Sequence, residues 1–219
     1  MKTLLQINAS LFSSHGQSST LNTDFARAWL AAHPGGKVVV RDFSVSPMPH
    51  LTAERFQSFL AKPEDRNAVQ REIIEFSDAL IAEIRAADEI VIGVPMYNFG
   101  IPSMLQSYFD HIARAGVTFR YTETGPVGLL TGKKAYVFTT RGGVHAGTSR
   151  DAQISQVRHF LGLLGITEVE VVYAEGLSMG DIVKAPSLAA ARSRAAVLLD
   201  SAANDQETLV PSTPLAQAA

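Results

Sequence analysis

Residues 95–101, PMYNFGI, carry side chains that suit a bound molecule better than a protein core. They follow the apolar run EIVIGV at 89–94, which reads as a buried strand. Methionine and aromatic side chains offer soft apolar contact to a flat ring, and an asparagine amide can bond ring heteroatoms. The segment therefore predicts that Met96, Tyr97, Asn98 and Phe99 line a planar ligand. The alternative is that Tyr97 and Phe99 are core residues beside a turn.

A serine-rich segment, ASLFSSHGQSST at 9–20, lies between an apolar strand and a helix. The hydroxyls of Ser10 and Ser18, with the free N–H groups of a helix N-terminus, suit a phosphate. The segment contains no Lys or Arg, so its donors are neutral. It matches neither the GxGxxG nor the GxxxxGK[ST] phosphate-binding pattern. The alternative is that Ser18 is only the helix N-cap.

A third segment, TTRGGVHAG at 139–147, follows another apolar run. Gly142 and Gly143 allow the backbone to approach a ligand closely, and Arg141 offers a fixed positive charge. A tight turn with a solvated arginine explains the same residues. His145 could donate a proton near neutral pH, but it is one of six scattered histidines, and the alternative is a structural or exposed role.

Hydrophobic patterning predicts a single α/β domain over residues 1–202 and a flexible tail over 203–219. Five short strands separated by helices favour a doubly wound parallel sheet of order 2-1-3-4-5 with helices on both faces. The strands are expected at 3–8, 89–94, 133–140 and 167–175 and within 35–43, which reads as a turn, a strand and its exit, with a hairpin within 117–130 around Thr124-Gly125. The helices are expected at 18–32, 53–60, 67–85, 102–113, 152–164 and 187–202.

The overall composition excludes several kinds of protein. The 219-residue chain has a net charge of −2, which gives no electrostatic attraction to nucleic acid or a membrane surface. It contains no cysteine, which excludes disulfides, thiolate metal sites and a cysteine nucleophile. No stretch approaches the length of a membrane span, and the first apolar run is too short for a signal peptide. We therefore expect a cytoplasmic protein.

The three segments together describe one ligand. In a doubly wound sheet, ligands bind beyond the carboxyl ends of the strands, where the strand order reverses. A phosphate-binding segment, an aromatic segment and a glycine-rich segment at that edge predict a molecule with one phosphate and one flat polar ring. FMN has that shape.

The central part of the chain resembles the FMN-dependent NADH-azoreductases, which belong to the flavodoxin-like quinone reductases. The resemblance is carried by PMYNFGIPSMLQSYFDHIARAGVTFRYTETGPVGLLTGKKAYVFTTRGG at 95–143 and by YAEG at 173–176, and it extends from about residue 2 to 200. It implies that the FMN phosphate lies at Ser10 and at Gly16, Gln17 and Ser18. The ring would lie against Met96, Tyr97, Asn98 and Phe99, with its edge along Thr140, Arg141, Gly142 and Gly143. This chain has Gly16 where the family often has serine.

The resemblance also implies a function. Family members are homodimers with active sites at the interface, to which the hairpin is expected to contribute, and they reduce quinones and azo compounds with NADH or NADPH by a ping-pong mechanism. The flavin performs the chemistry, so no catalytic side chain or metal is expected. Backbone N–H groups near Gly142 and Gly143 would stabilise negative charge on the ring. A one-electron carrier, a catalytically silent flavin- or nucleotide-binding protein and a phosphodiesterase are the alternatives.

Overall fold

A central parallel sheet organises the molecule, for which a computed structural model describes residues 1–207. The strands are β1 (Thr3–Asn8), β2 (Lys37–Asp42), β3 (Glu89–Pro95), β4 (Phe119–Thr122), β5 (Gly125–Gly128), β6 (Lys134–Thr140) and β7 (Glu168–Ala174). Five of them form one sheet in the order β2-β1-β3-β6-β7, with every neighbouring pair parallel. Counted along the sheet strands alone, this is the order 2-1-3-4-5. The fold class predicted from the sequence is therefore confirmed.

Helices cover both faces of the sheet. They are α1 (Gln17–Ala32), α2 (Ala53–Leu60), α3 (Ala68–Ala86), α4 (Ser103–Ile112), α5 (Ala152–Leu164) and α6 (Asp181–Glu207). One apolar cluster joins the sheet to α3, α4 and α5, and a second joins it to α1 and α6. All seven residues of the central strand β3 are buried, as expected for a strand covered on both faces.

The last helix differs from its predicted bounds at both ends. It begins at Asp181, whereas the prediction began after Pro186, because proline usually ends or precedes a helix. Here Pro186 is exposed in the second turn of α6, where the carbonyl that it leaves without a partner can bond water. The helix also runs to Glu207, so residues 203–207 are helical although the prediction assigned them to the tail. Residues 208–219 of that predicted tail lie outside the described residues.

The predicted hairpin exists, with its turn one residue earlier than expected. β4 and β5 are antiparallel, and Thr122 pairs with Gly125, so Glu123 and Thr124 form the turn. Gly125 has a φ of +120°, a conformation that favours glycine. The residue is the first of β5, however, and not part of the turn. Along residues 1–207, no helix combines the length and apolar character that crossing a membrane requires.

Candidate functional site

A cavity of about 260 Å³ lies at the carboxyl ends of β1, β3 and β6, where the strand order reverses. Nine of the twelve predicted site residues line it: Ser10, Gly16, Gln17, Ser18, Met96, Tyr97, Thr140, Arg141 and Gly142. The other three lie beside it. Asn98 borders a neighbouring groove, Phe99 is exposed, and Gly143 adjoins the ring of His145. The structure thus brings the three predicted segments to one place.

The serine-rich segment ends in the N-terminus of α1. The helix begins at Gln17 and its N-cap is Gly16, so the alternative that Ser18 acts as the cap is wrong. Ser18 instead lies in the first turn, fully buried, and its Oγ has no hydrogen-bond partner among the described residues. A buried hydroxyl without a partner beside a cavity is a position where a ligand oxygen would be bound.

The glycine that departs from the family pattern leaves space for a neighbouring serine. A β-carbon added to Gly16 would lie 2.1 Å from Ser10 Oγ. That Oγ accepts a hydrogen bond from the backbone N–H of Phe12 at 3.2 Å. Ser13 has a φ of +47°, and its hydroxyl donates to Asp42 Oδ2 at 3.1 Å, which ties the segment to the end of β2. The space beside Gly16 is therefore occupied by the Ser10 side chain.

The aromatic segment is a tight turn with a strained backbone. Tyr97 and Gly100 exchange two backbone hydrogen bonds, of 3.2 and 3.0 Å. Between them Asn98 and Phe99 have φ values of +50° and +64°, a conformation that costs a non-glycine residue about 1–2 kcal/mol. The Tyr97 hydroxyl accepts a hydrogen bond from the Leu11 backbone N–H at 3.3 Å, which joins this segment to the serine-rich one. Strain of this kind is typical of ligand-binding sites.

A second, larger groove adjoins the cavity and shares Met96 and Tyr97 with it. Its volume is about 640 Å³, and it is lined mainly by apolar side chains: Leu11, Met96, Tyr97, Asn98, Ile101, Pro102, Ser103 and Met104. A flat apolar molecule could therefore lie in the groove next to whatever fills the cavity.

Arg141 is buried, so the sequence alternative of a solvated arginine is wrong. Its side chain is only 1% exposed. The guanidinium donates to Asp151 Oδ1 at 2.5 Å and to Glu175 Oε1 at 3.0 Å, and it lies 5.1 Å from the ring centre of Tyr173. The pKa of Tyr173 is raised, first by burial and then by the charge of Asp151. The carboxylates of Asp151 and Glu175 therefore balance the positive charge of Arg141, which the sequence analysis had offered to the ligand.

Glu175 also fixes the glycine-rich segment. Its Oε1 accepts hydrogen bonds from the backbone N–H groups of His145 and Ala146 at 2.8 and 2.9 Å. The His145 ring packs edge-to-face on Phe99, with ring centres 5.6 Å apart, so the glycine-rich and aromatic segments meet at the rim of the site. One carboxylate therefore orients both the Arg141 guanidinium and the backbone that follows Gly143.

Sequence reasoning missed several residues of the site. Leu177 and Ser178, which follow β7, line the cavity, and Ser178 donates its backbone N–H to the Gly142 carbonyl at 3.0 Å. Asp151 and Glu175, which are the two partners of Arg141, were also missed. These residues lie on other elements, and no local spacing marks them as partners of the cavity.

The residues present fit FMN. Along the strand order β1-β3-β6, the hydroxyls and the helix N-terminus follow β1, Met96 and Tyr97 follow β3, and Gly142 follows β6. The unpartnered Ser18 hydroxyl supplies a donor where a phosphate would lie. A β-carbon at Gly142 would approach Ser178 Oγ to 2.8 Å, so glycine keeps the backbone at this edge accessible.

Comparisons with known proteins agree with this geometry. A family model described as a flavodoxin-like fold matches residues 1–199. An FMN-dependent NADH:quinone oxidoreductase of Cellvibrio japonicus is 53% identical over 180 residues, which cover 82% of this chain and 90% of that protein. One from Alcanivorax borkumensis is 52% identical over 190 residues, covering 87% and 96%. The crystal structure of an azoreductase from Bacillus anthracis superposes with a TM-score of 0.84 at 26% identity, covering 92% of this chain and all of that one.

Proposed function

Because the chain belongs to the flavodoxin-like family of FMN-dependent NADH:quinone oxidoreductases, we propose that it binds FMN and uses NADH to reduce quinones. The membership confirms the family resemblance carried by the central motif. The observation that carries the proposal for this chain is the buried, unpartnered Ser18 hydroxyl beside a cavity at the N-terminus of α1. This hydroxyl would provide a neutral phosphate-binding position at the place where doubly wound folds bind their ligands.

Each segment would bind one part of the cofactor. Ser10, Gly16, Gln17 and Ser18 would bind the phosphate, and Met96 to Phe99 would contact the ring. The backbone at Thr140, Gly142 and Gly143 would follow the ring edge, where its N–H groups favour negative charge. Bound FMN would supply the hydride transfer between NADH and the acceptor. Arg141 would act by fixing the backbone of its segment, because its own charge is paired with Asp151 and Glu175.

The larger groove beside the cavity suits the electron acceptor. It adjoins the cavity through Met96 and Tyr97, and most of the residues that line it are of apolar type beside the polar Asn98 and Ser103, which suits flat aromatic molecules that carry polar atoms, such as quinones. We propose azo compounds as a second class of acceptor for the same reason. If NADH and the acceptor use this groove in turn, NADH must leave before the acceptor enters, and the kinetics would be ping-pong.

The active form is proposed to be a homodimer with its sites at the interface. Exposed apolar side chains occur on the segments that contribute residues to the cavity: Leu11, Phe12, Phe99, Val144 and Met179. Away from the cavity, the hairpin carries a further exposed aromatic side chain, Tyr121, which is 75% exposed. Exposed apolar patches of this kind mark protein interfaces. Light scattering after gel filtration would measure the molar mass and so test the oligomeric state. A mass equal to one chain at micromolar concentration would exclude the dimer. A cytoplasmic location stays a prediction.

Stopped-flow absorbance of the FMN-loaded protein tests the function. The protein is mixed without oxygen with NADH or with NADPH, and a quinone or an azo dye is added in a second mix. We expect NADH to remove the visible flavin band rapidly and each acceptor to restore it. A band that neither nucleotide changes would exclude the reductase and favour the one-electron carrier. Restoration by the quinone alone would exclude azo compounds.

A further inference from the structure

Gln153, in the first turn of α5, is a fully buried amide that contacts both ends of the aromatic segment. Its Nε2 donates to the Pro95 carbonyl at 2.9 Å and to the Gly100 carbonyl at 3.3 Å. These two carbonyls flank residues 96–99. A single side chain thus holds the segment where it leaves β3 and where it turns back.

The oxygen of the same amide contacts the end of β6. Gln153 Oε1 accepts hydrogen bonds from Thr139 Oγ1 at 2.8 Å and from Arg141 Nε at 3.3 Å. A carboxamide has two N–H donors and two acceptor positions, so all four are used here. Gln153 therefore links the aromatic segment to the arginine segment through its side chain, in addition to the backbone hydrogen bond that the Met96 N–H donates to the Thr140 carbonyl at 2.9 Å.

The aromatic segment needs such support because its backbone is strained. Asn98 and Phe99 both have positive φ, and such conformations persist only where the surrounding structure fixes them. The Tyr97–Gly100 backbone pair closes the turn from within. The Gln153 contacts fix its two ends from outside, against a helix whose N-cap residue, Asp151, pairs with Arg141.

We propose that Gln153 is a positioning residue that holds residues 96–99 and the Arg141 segment in the geometry that binds the flavin. The inference rests on the proposed flavin site. Gln153 is not among the residues that line the cavity, so it acts through the backbone of residues that do. Its effect would be preorganisation, because a segment already held in its binding conformation loses less entropy when the ligand binds.

The test compares Gln153→Met with Gln156→Met. Gln156 lies one turn further along α5, where its Nε2 donates to Gln106 Oε1 at 2.7 Å in an exposed position. FMN is titrated into each apoprotein by fluorescence quenching, and visible circular dichroism of the bound flavin is recorded at saturation. We expect Gln153→Met to raise the Kd for FMN by about tenfold or more and to change the flavin dichroism. Gln156→Met should change the Kd by less than about twofold.

A second variant keeps the test decisive if Gln153→Met does not fold. Gln153→Glu preserves the size and the acceptor oxygen but loses the two N–H donors, and it should weaken FMN binding in the same direction. Unchanged Kd and dichroism in the variants, even with a lower melting temperature, would overturn the inference and leave Gln153 a structural residue. Unmodified protein that fails to bind FMN would instead overturn the proposed function, and the inference with it.

Discussion

Ser18 and Ser19 are neighbours in the first turn of α1, and both side chains are fully buried. Neither hydroxyl has a hydrogen-bond partner among the described residues. Only Ser18 borders the cavity. Burying an unpaired hydroxyl costs about 1–3 kcal/mol. Because both serines bear this cost and only Ser18 borders the cavity, comparing their variants separates the effect of burial from the effect of ligand binding.

Replacing Ser18 by alanine is expected to weaken FMN binding without weakening the apoprotein. A hydrogen bond to a charged phosphate contributes about 1.5–3 kcal/mol, which corresponds to about a tenfold or larger rise in Kd. Fluorescence titration measures the Kd, and urea denaturation measures the free energy of unfolding. Ser19→Ala is the matched control and should leave the Kd unchanged. Equal effects of both substitutions on FMN binding would contradict a specific role for Ser18.

Replacing Arg141 by methionine is expected to lower the free energy of unfolding by about 3–5 kcal/mol. The reason is that Asp151 and Glu175, whose side chains are 11% and 12% exposed, would lose the charge that pairs with both. Urea denaturation of the apoprotein measures the change. Arg27, 76% exposed and paired with Asp24 on the surface, is the control, and its substitution should change stability by less than about 0.5 kcal/mol. A similarly small change at Arg141 would refute the paired arrangement.

At the scale of elements, α3 begins with a capping box. Asn67 Oδ1 accepts from the Gln70 backbone N–H at 2.9 Å, and Gln70 Oε1 accepts from the Asn67 backbone N–H at 3.0 Å. The two side chains satisfy donors that the first turn would otherwise leave without partners. The predicted helix start at residue 67 is within one residue of the observed start at Ala68.

Asn67→Ala should therefore lower the free energy of unfolding by about 1 kcal/mol. Glu75→Ala, at an exposed position in the middle of the same helix, should change it by less than about 0.5 kcal/mol. Chemical denaturation of the two variants and the unmodified protein gives both values. Equal values for the two variants would mean that the cap contributes nothing to stability.

Local patterns explain which elements the sequence predicts well. Residues 152–164 were predicted with the bounds that α5 has, because apolar residues recur along one face and Gly165 ends the helix at a φ of +94°. The start of α6 was missed because Pro186 resembles a helix boundary, and the hairpin turn was misplaced because Gly125 resembles a turn centre. The contacts of Arg141 and Gln153 join residues distant in the chain, so no local pattern reveals them. The sequence therefore predicts which segments meet, and the structure adds how their side chains are held.

At the scale of the whole molecule, a buried histidine lies where three helices meet. His111 is fully buried between α2, α3 and α4, against Phe59 and Phe76. Its Nδ1 lies 2.7 Å from the Ser107 carbonyl and its Nε2 lies 3.4 Å from Arg55 Nη1, so the neutral ring donates at one nitrogen and accepts at the other. Burial lowers the pKa of His111. The hydrogen bond to the Ser107 carbonyl and the charge of Asp110 act in the opposite direction, and the charge of Arg55 lowers the pKa further.

Acidification should therefore destabilise the protein. Below about pH 6.5, the usual pKa of histidine, the unfolded chain binds a proton at His111 that the native state does not bind. The free energy of unfolding then falls as the pH falls towards the native pKa. Urea denaturation at several pH values between about 7.5 and 5.5 measures the slope. His111→Gln should fold less stably but with a shallower slope, and an unchanged slope would exclude His111 as its source.

The charges around the cavity determine how the cofactor responds to ions. Of the residues that line the cavity in the described part of the chain, only Arg141 is charged, and two carboxylates balance that charge. The phosphate would therefore be bound by dipoles, whose attraction acts over short distances, and mobile ions screen mainly net charges that face solvent. A high concentration of potassium chloride should accordingly leave the flavin in place, and a salt gradient on an ion-exchange column should elute the protein still yellow.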